Sequence, residues 1–163
     1  LKKRLSVLVL TMSIPFAAAC GNEDAADDSH THSIHKAENG DLQEATASAG
    51  TLPSFLKDKD DNMRAIYAAA AKHADVLDQL PCYCGCGESA GHKSNLNCFI
   101  AERNGDKVTW DDHGTRCGVC LDIAATAAVM TEEGKSPKEI RTYIDHTYSE
   151  DYAEPTPTPL PGA

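Results

Sequence analysis

The chain holds 163 residues, with 25 Asp and Glu against 15 Lys and Arg and a formal net charge of −10. That length gives room for one domain with tails, and an acidic chain without a basic stripe argues against nucleic acid, whose phosphates need clustered Lys and Arg. It argues equally against electrostatic adhesion to anionic lipid, which leaves seven cysteines as the dominant signal.

From the N-terminus, residues 1–19 read as a signal peptide. Lys2, Lys3 and Arg4 form a basic start, Leu5 to Ile14 an apolar run, and Ala17-Ala18-Ala19 precede Cys20. The ten-residue run is too short for a membrane span, which needs about 20 residues. Small residues before a cysteine resemble the lipobox of bacterial lipoproteins, so Cys20 is the expected lipidation site, with Ala17 departing from the usual Leu. Leu1 reads as a non-AUG start. These features place the chain on the extracytoplasmic face of a bacterial cell membrane, held there by lipid chains rather than by a helix.

Residues 20–51 read as a lipidated flexible tether. They are polar and acidic, show neither a helical nor a strand period, and contain a short His tract at His30, His32 and His35. The folded domain is expected over residues 52–153. Pro155, Pro157, Pro159 and Pro161 mark 154–163 as an extended proline-rich tail.

Within the domain, Asp60 and Asp61 cap a predicted helix reaching Leu80, with Met63, Ile66, Ala70, His73, Leu77 and Leu80 on one face and Pro81 as its stop. A second helix is predicted from Thr115 to Glu133, ended by Gly134. A third starts at Ser136-Pro137-Lys138-Glu139, a capping box with proline in the first turn, and buries Ile140, Tyr143, Ile144 and Tyr148. Asn104-Gly105 suits a short hairpin in which Ile100 faces Val108. The expected fold is therefore mostly α: a small cysteine-rich helical domain with at most one hairpin, flanked by disordered tether and tail. Few large apolar side chains are available, so disulfides or metal would help to hold it.

The domain cysteines Cys82, Cys84, Cys86, Cys98, Cys117 and Cys120 follow the pattern C-x-C-x-C-x11-C-x18-C-x2-C. The stretch Pro81-Cys82-Tyr83-Cys84-Gly85-Cys86-Gly87 resembles the name-giving motif of the bacterial PCYCGC-motif lipoproteins. The resemblance extends through Gly91-His92-Lys93-Ser94-Asn95 and Asp112-His113-Gly114 to Cys117-Gly118-Val119-Cys120-Leu121. It implies a location and a class but no mechanism.

In an extended C-x-C-x-C segment alternate side chains point the same way, so three sulfurs line one side of a loop that Gly85 and Gly87 allow to bend. Neighbours at i and i+2 rarely form a relaxed disulfide, whereas clustered soft thiolates suit Cu(I) or Zn(II). Cys117 and Cys120 fall at a helix N-terminus, where free amides and the neighbouring Arg116 favour thiolate. His92 and His113 bring the potential ligands to eight, enough for two four-coordinate sites, although each His also suits an ordinary loop role. Asp111 and Asp112 read as a solvated turn.

The expectation is thus a soft-metal-binding protein, Cu(I) favoured over Zn(II), for metal handling or sequestration. Its metal ligands are drawn from Cys82, Cys84, Cys86, Cys98, Cys117, Cys120, His92 and His113. The expected partners are the membrane, through the N-terminal lipid, and a metal-delivery protein, with no nucleic acid and no catalytic residue. Two alternatives stay open. One is a metal-free interaction module stapled by three disulfides, with 15 possible pairings. The other is a thiol–disulfide exchanger built on Cys117 and Cys120, for which the strand–helix alternation of a thioredoxin-like fold is missing.

Overall fold

A computed structural model describes residues 33–162. The leader, Cys20, His30 and His32 lie outside the described residues. The elements in chain order are β1 (Ile34–Lys36), β2 (Leu42–Thr46), a 3-10 turn (Ser54–Leu56), α1 (Asp61–Lys72), α2 (Ala74–Leu77), α3 (Gly87–Ala90), a 3-10 turn (Asn95–Cys98), β3 (Ile100–Asn104), β4 (Lys107–Asp111), a 3-10 turn (His113–Arg116), α4 (Gly118–Glu132) and α5 (Pro137–Thr147).

The mostly α expectation is overturned. The strands make one four-stranded antiparallel sheet in the order β1-β2-β4-β3, so the fold is mixed α and β. Half of the sheet comes from the segment expected to be a disordered tether. The reason lies in which side chains β2 buries. Glu44 and Thr46 point inward while Leu42 is exposed, which inverts the hydrophobic alternation that identifies a half-buried strand. Hydrogen bonds compensate: both Glu44 carboxylate oxygens accept from the Ser54 amide at 2.8 and 2.7 Å, and Thr46 Oγ1 accepts from Trp110 Nε1 at 2.8 Å.

The hairpin exists, with Asn104 opposite Lys107, but Ile100 faces Trp110 rather than Val108 because the register shifts between Ile100 and Glu102. Of the helices, α5 forms as its capping box requires, Ser136 and Glu139 bonding reciprocally. Ile140, Ile144 and Tyr148 are buried, yet Tyr143 is about half exposed. The single helix expected up to Leu80 is broken at His73, whose backbone (φ −109°, ψ 27°) is not helical. Asp60 caps α1 by accepting from the Met63 amide at 2.9 Å.

The core is one cluster centred on Trp110, Tyr67 and Phe99 and continued by Leu77, Leu80, Ile123, Ile140 and Ile144. Tyr67 on α1 meets Phe99 edge to face at 5.0 Å and Trp110 on β4 at 6.2 Å, contacts of a kind that contribute about 0.5–1.5 kcal/mol each beyond area burial. Its hydroxyl donates to the Asp111 carbonyl at 2.9 Å, which fixes α1 against the end of β4. Alanines at 124 and 127 let α4 pack closely on α1. The first turn of α4 is thereby held against the loops before and after α3, where the cysteines are.

The tail is docked rather than free. The Ala153 amide donates to the Tyr83 carbonyl at 3.2 Å and the Thr156 amide to the Cys82 carbonyl at 3.1 Å, while the Cys82 amide donates to Thr156 Oγ1 at 2.8 Å. Arg141 Nη1 donates to the Pro159 carbonyl at 3.2 Å.

Candidate metal centre

Each residue of the hexapeptide Pro81–Cys86 has a local task. Pro81 follows the last helical turn. Tyr83 is buried, stacks on Tyr148 with ring centroids 5.5 Å apart, and donates to Asp145 Oδ1 at 2.6 Å, so it pins the loop to α5. Gly85 has φ +77°, a left-handed conformation that a Cβ would strain. The irregular loop before that glycine brings Cys82 and Cys84 together, with their sulfurs 2.9 Å apart. After it the chain enters α3, so Cys86 leaves the alternation and its amide donates to Cys84 Sγ at 3.3 Å.

The remaining cysteines arrive from two other elements. Cys98 ends the second 3-10 turn; its sulfur lies 3.2 Å from Cys120 Sγ and 3.5 Å from His92 Nδ1. Cys120, in the first turn of α4, also approaches Cys82 Sγ at 3.5 Å. Cys117 is the N-cap of α4, accepting on sulfur from the Cys120 amide at 3.4 Å. Cys82, Cys98 and Cys120 are buried; Cys84, Cys86 and Cys117 are partly exposed, and none of the six is disulfide-bonded.

All eight residues expected as ligands are therefore in one place. Five overlapping triads have ligand atoms within 4.8 Å of one another, four drawn wholly from these eight residues (Cys82, Cys98 and Cys120; Cys84, Cys117 and Cys120; Cys84, Cys86 and His113; His92, Cys98 and His113) and a fifth made of Asp41, His92 and Asp111. Such a set of soft donors fits a soft cation. Three expectations need correction. The Cys82–Cys84–Cys86 loop does not present three equivalent sulfurs, because the chain turns at Gly85 into the helix that Cys86 opens, and the Cys86 sulfur joins only the triad with Cys84 and His113. Arg116 does not serve Cys117, because its guanidinium is held by Asp41 and Asp112. Although contact with Cys120 pulls the Cys117 thiol down, the neighbouring Cys84 sulfur and burial leave it above its ordinary value.

The contacts among the sulfurs shift their thiols in opposite directions. Contacts from Cys117, Cys120 and Cys82, aided by His113, hold the Cys84 thiol far below its usual range. Contacts from Cys120 and Cys82 and the nearby His92 do the same for Cys98. Contacts with the sulfurs of Cys117, Cys82, Cys84 and Cys98 push the Cys120 thiol above its ordinary value. Burial, with the Cys84 charge beside it, pushes Cys86 up to about 11. The Cys84 sulfur, with Cys98 and Asp41, raises His113 to about 9 against the effect of burial.

Asp41 is the residue the sequence did not disclose, because it lies in the segment expected to be a tether. The β1–β2 turn buries it behind both histidines. Its Oδ2 is 3.1 Å from His113 Nδ1 and 3.9 Å from His92 Nε2, and Asn39 Nδ2 donates to the same oxygen at 2.8 Å. At His113 the carboxylate is within hydrogen-bond distance of Nδ1 and so leaves Nε2 as the nitrogen open to a metal. Asp111 and Asp112 are not a solvated turn either. Both are buried: Asp111 accepts from Gln43 Nε2 at 2.9 Å and the His113 amide at 2.8 Å, and Asp112 accepts from the Leu42 amide at 2.8 Å. Burial raises the Asp111 carboxyl. His35, on β1, is exposed and separate from the cluster.

The fold and site define a small α/β domain organised around a six-cysteine, two-histidine cluster. Over residues 7–161 the chain matches the family described as "protein of unknown function with PCYCGC motif", and it belongs to that family. No curated protein and no solved structure matches it.

Proposed function

We propose that this domain is a soft-metal-binding module, Cu(I) ahead of Zn(II), that handles or sequesters metal outside the cell membrane, to which acylated Cys20 anchors it. The observation that carries this reading is convergence. Three disulfide staples would distribute sulfur pairs through the fold, whereas here six sulfurs from three separate segments meet at one point with two histidines. The ligand groups come as triads, with no set of four mutually close among the described residues. Cu(I) accepts such low coordination, while structural zinc is almost always tetrahedral. Nothing in the cluster supplies an oxyanion site, and the module is read as a binding protein rather than an enzyme.

Anaerobic purification of the chain, with metal analysis and free-thiol counting on the same sample, tests the proposal. Bound copper with the thiols unbridged supports it. Six domain cysteines bridged in one fixed pairing, with no copper taken up after reduction, would establish the disulfide module instead.

A further inference from the structure

The triads overlap in a way that bears on how many cations the site takes. Cys82–Cys98–Cys120 and Cys84–Cys86–His113 share no member, and each is a site in its own right. Their nearest sulfurs, on Cys82 and Cys84, are only 2.9 Å apart, however, and Cys84–Cys117–Cys120 takes one sulfur from each. A fourth triad, His92–Cys98–His113, joins the two again from the other side. The eight ligands thus form a closed ring of shared corners instead of two separate cages.

From this we infer that the domain holds a polynuclear cluster of monovalent soft cations with bridging thiolates, Cys84 and Cys120 being the principal bridges. The inference rests on the soft-metal reading above and adds the nuclearity of the site.

Chemistry and electrostatics both favour it. Thiolate sulfur has lone pairs enough to bind two metal ions, which a single imidazole nitrogen cannot do, so the shared corners Cys84, Cys98 and Cys120 are of the type able to bridge. Metal–thiolate bonds of about 2.3 Å in a trigonal site place sulfurs about 4 Å apart. The observed separations of 2.9, 3.2 and 3.5 Å therefore widen modestly to admit cations. Charge is the stronger argument. Binding metal through the six thiols releases their protons and leaves negative charge beside buried Asp41, Asp111 and Asp112, which needs compensation because uncompensated charge in a protein interior is costly. The nearby guanidinium of Arg116 is already committed to Asp41 and Asp112. One monovalent cation offsets a single thiolate; several, each touching shared sulfurs, offset the set.

The experiment is an anaerobic titration of the reduced full chain, in a Cys20→Ser background so that no sulfur outside the domain contributes. Cu(I) is supplied as its acetonitrile complex, with stoichiometry read by native mass spectrometry and metal–metal scattering by X-ray absorption. The expected result is a monomer that passes from metal-free to a species with more than one copper, sparsely populating the singly loaded form and showing a Cu–Cu vector. Cys84→Ser and Cys120→Ser should each lose that vector, while Cys86→Ser, which removes a sulfur belonging to one triad, should keep it. Because Cys120 is buried and its variant risks misfolding, the wild-type stoichiometry and the partly exposed Cys84 carry the decision. Saturation at one copper, or several coppers without a Cu–Cu vector, overturns the cluster and leaves metal binding standing. No copper uptake overturns both.

Discussion

Asp41 Oδ2 stands 3.1 Å from Nδ1 of His113, across 72 residues of chain, and the same oxygen lies 3.9 Å from Nε2 of His92. One buried carboxylate thus sits behind both imidazoles of the cluster. Replacement of such outer partners typically weakens metal affinity by about 10–100-fold. Asp41→Asn, which removes the charge at nearly constant shape, should weaken Cu(I) binding within that range in competition with a chromophoric Cu(I) chelator. Arg116→Gln provides the control, since it breaks the ion pair with Asp41 but leaves the histidines facing the carboxylate. Equal affinity loss in both variants would mean that Asp41 acts through general stability and not through ring orientation.

The sheet makes a second claim that truncation checks. A chain beginning at Leu52 lacks β1 and β2, so β4 loses one of its two antiparallel partners and keeps only β3, while Trp110 Nε1 loses its acceptor on Thr46 and both histidines their carboxylate. A chain beginning at Ser33 keeps all of these. The shorter chain should show a broad, poorly cooperative urea transition and the longer one a single sharp transition. Cooperative unfolding of both would restore, for the strands within it, the reading of residues 20–51 as a tether.

These two predictions concern the part of the molecule that pattern did not reveal. Helix α5 was legible because its capping box and apolar spacing act locally. The eight residues that converge could be picked out because thiol and imidazole chemistry is written in residue type and spacing. What the spacing did not hold was the partnership, since Cys98 meets Cys120 across 22 residues through the packing of α4. Strand β2 was hidden because it buries Glu44 and Thr46, whose burial makes sense only beside Ser54 and Trp110. Tyr143 misled for the opposite reason: helical spacing alone places it near the buried stripe of α5, yet it is exposed.

The docked tail leads to a third prediction. Backbone bonds at Ala153 and Thr156 cover the Cys82–Tyr83 segment, and a Cβ added at Gly87 would lie 2.3 Å from Thr156 Cγ2. Gly87→Ala should therefore push the tail off, as should ending the chain after Ala153. In the reduced, metal-free protein both changes should speed alkylation of Cys82 severalfold, read by mass mapping, with little change at Cys98, which lies beneath the α4 turn. An unaltered rate at Cys82 in both variants would show that the tail gives that sulfur no cover.

The last prediction joins the cluster to stability. Cys82, Cys98 and Cys120 are core members as well as one of the triads able to hold a metal, so a cation bound there would interact with the folded chain and only weakly with the unfolded one, whose sulfurs are dispersed. Sulfur contacts draw the Cys84 and Cys98 thiols down beside four other sulfurs, and His113 is drawn up in answer. Binding confined to the folded state stabilises by about 2.7 kcal/mol when free ligand exceeds Kd a hundredfold. Cu(I) buffered at that level should raise the urea midpoint of the reduced chain by a corresponding amount and leave the slope of the transition unchanged. Zinc at the same multiple of its own Kd serves as the comparison, because any native-state ligand obeys the same relation. The discriminating measurement is which metal reaches that condition at the lower free concentration, and the triads of soft sulfur favour copper. A midpoint insensitive to copper while copper is demonstrably bound would place the metal on sulfurs that are equally available in the unfolded chain, and the cluster would then contribute nothing to holding the fold.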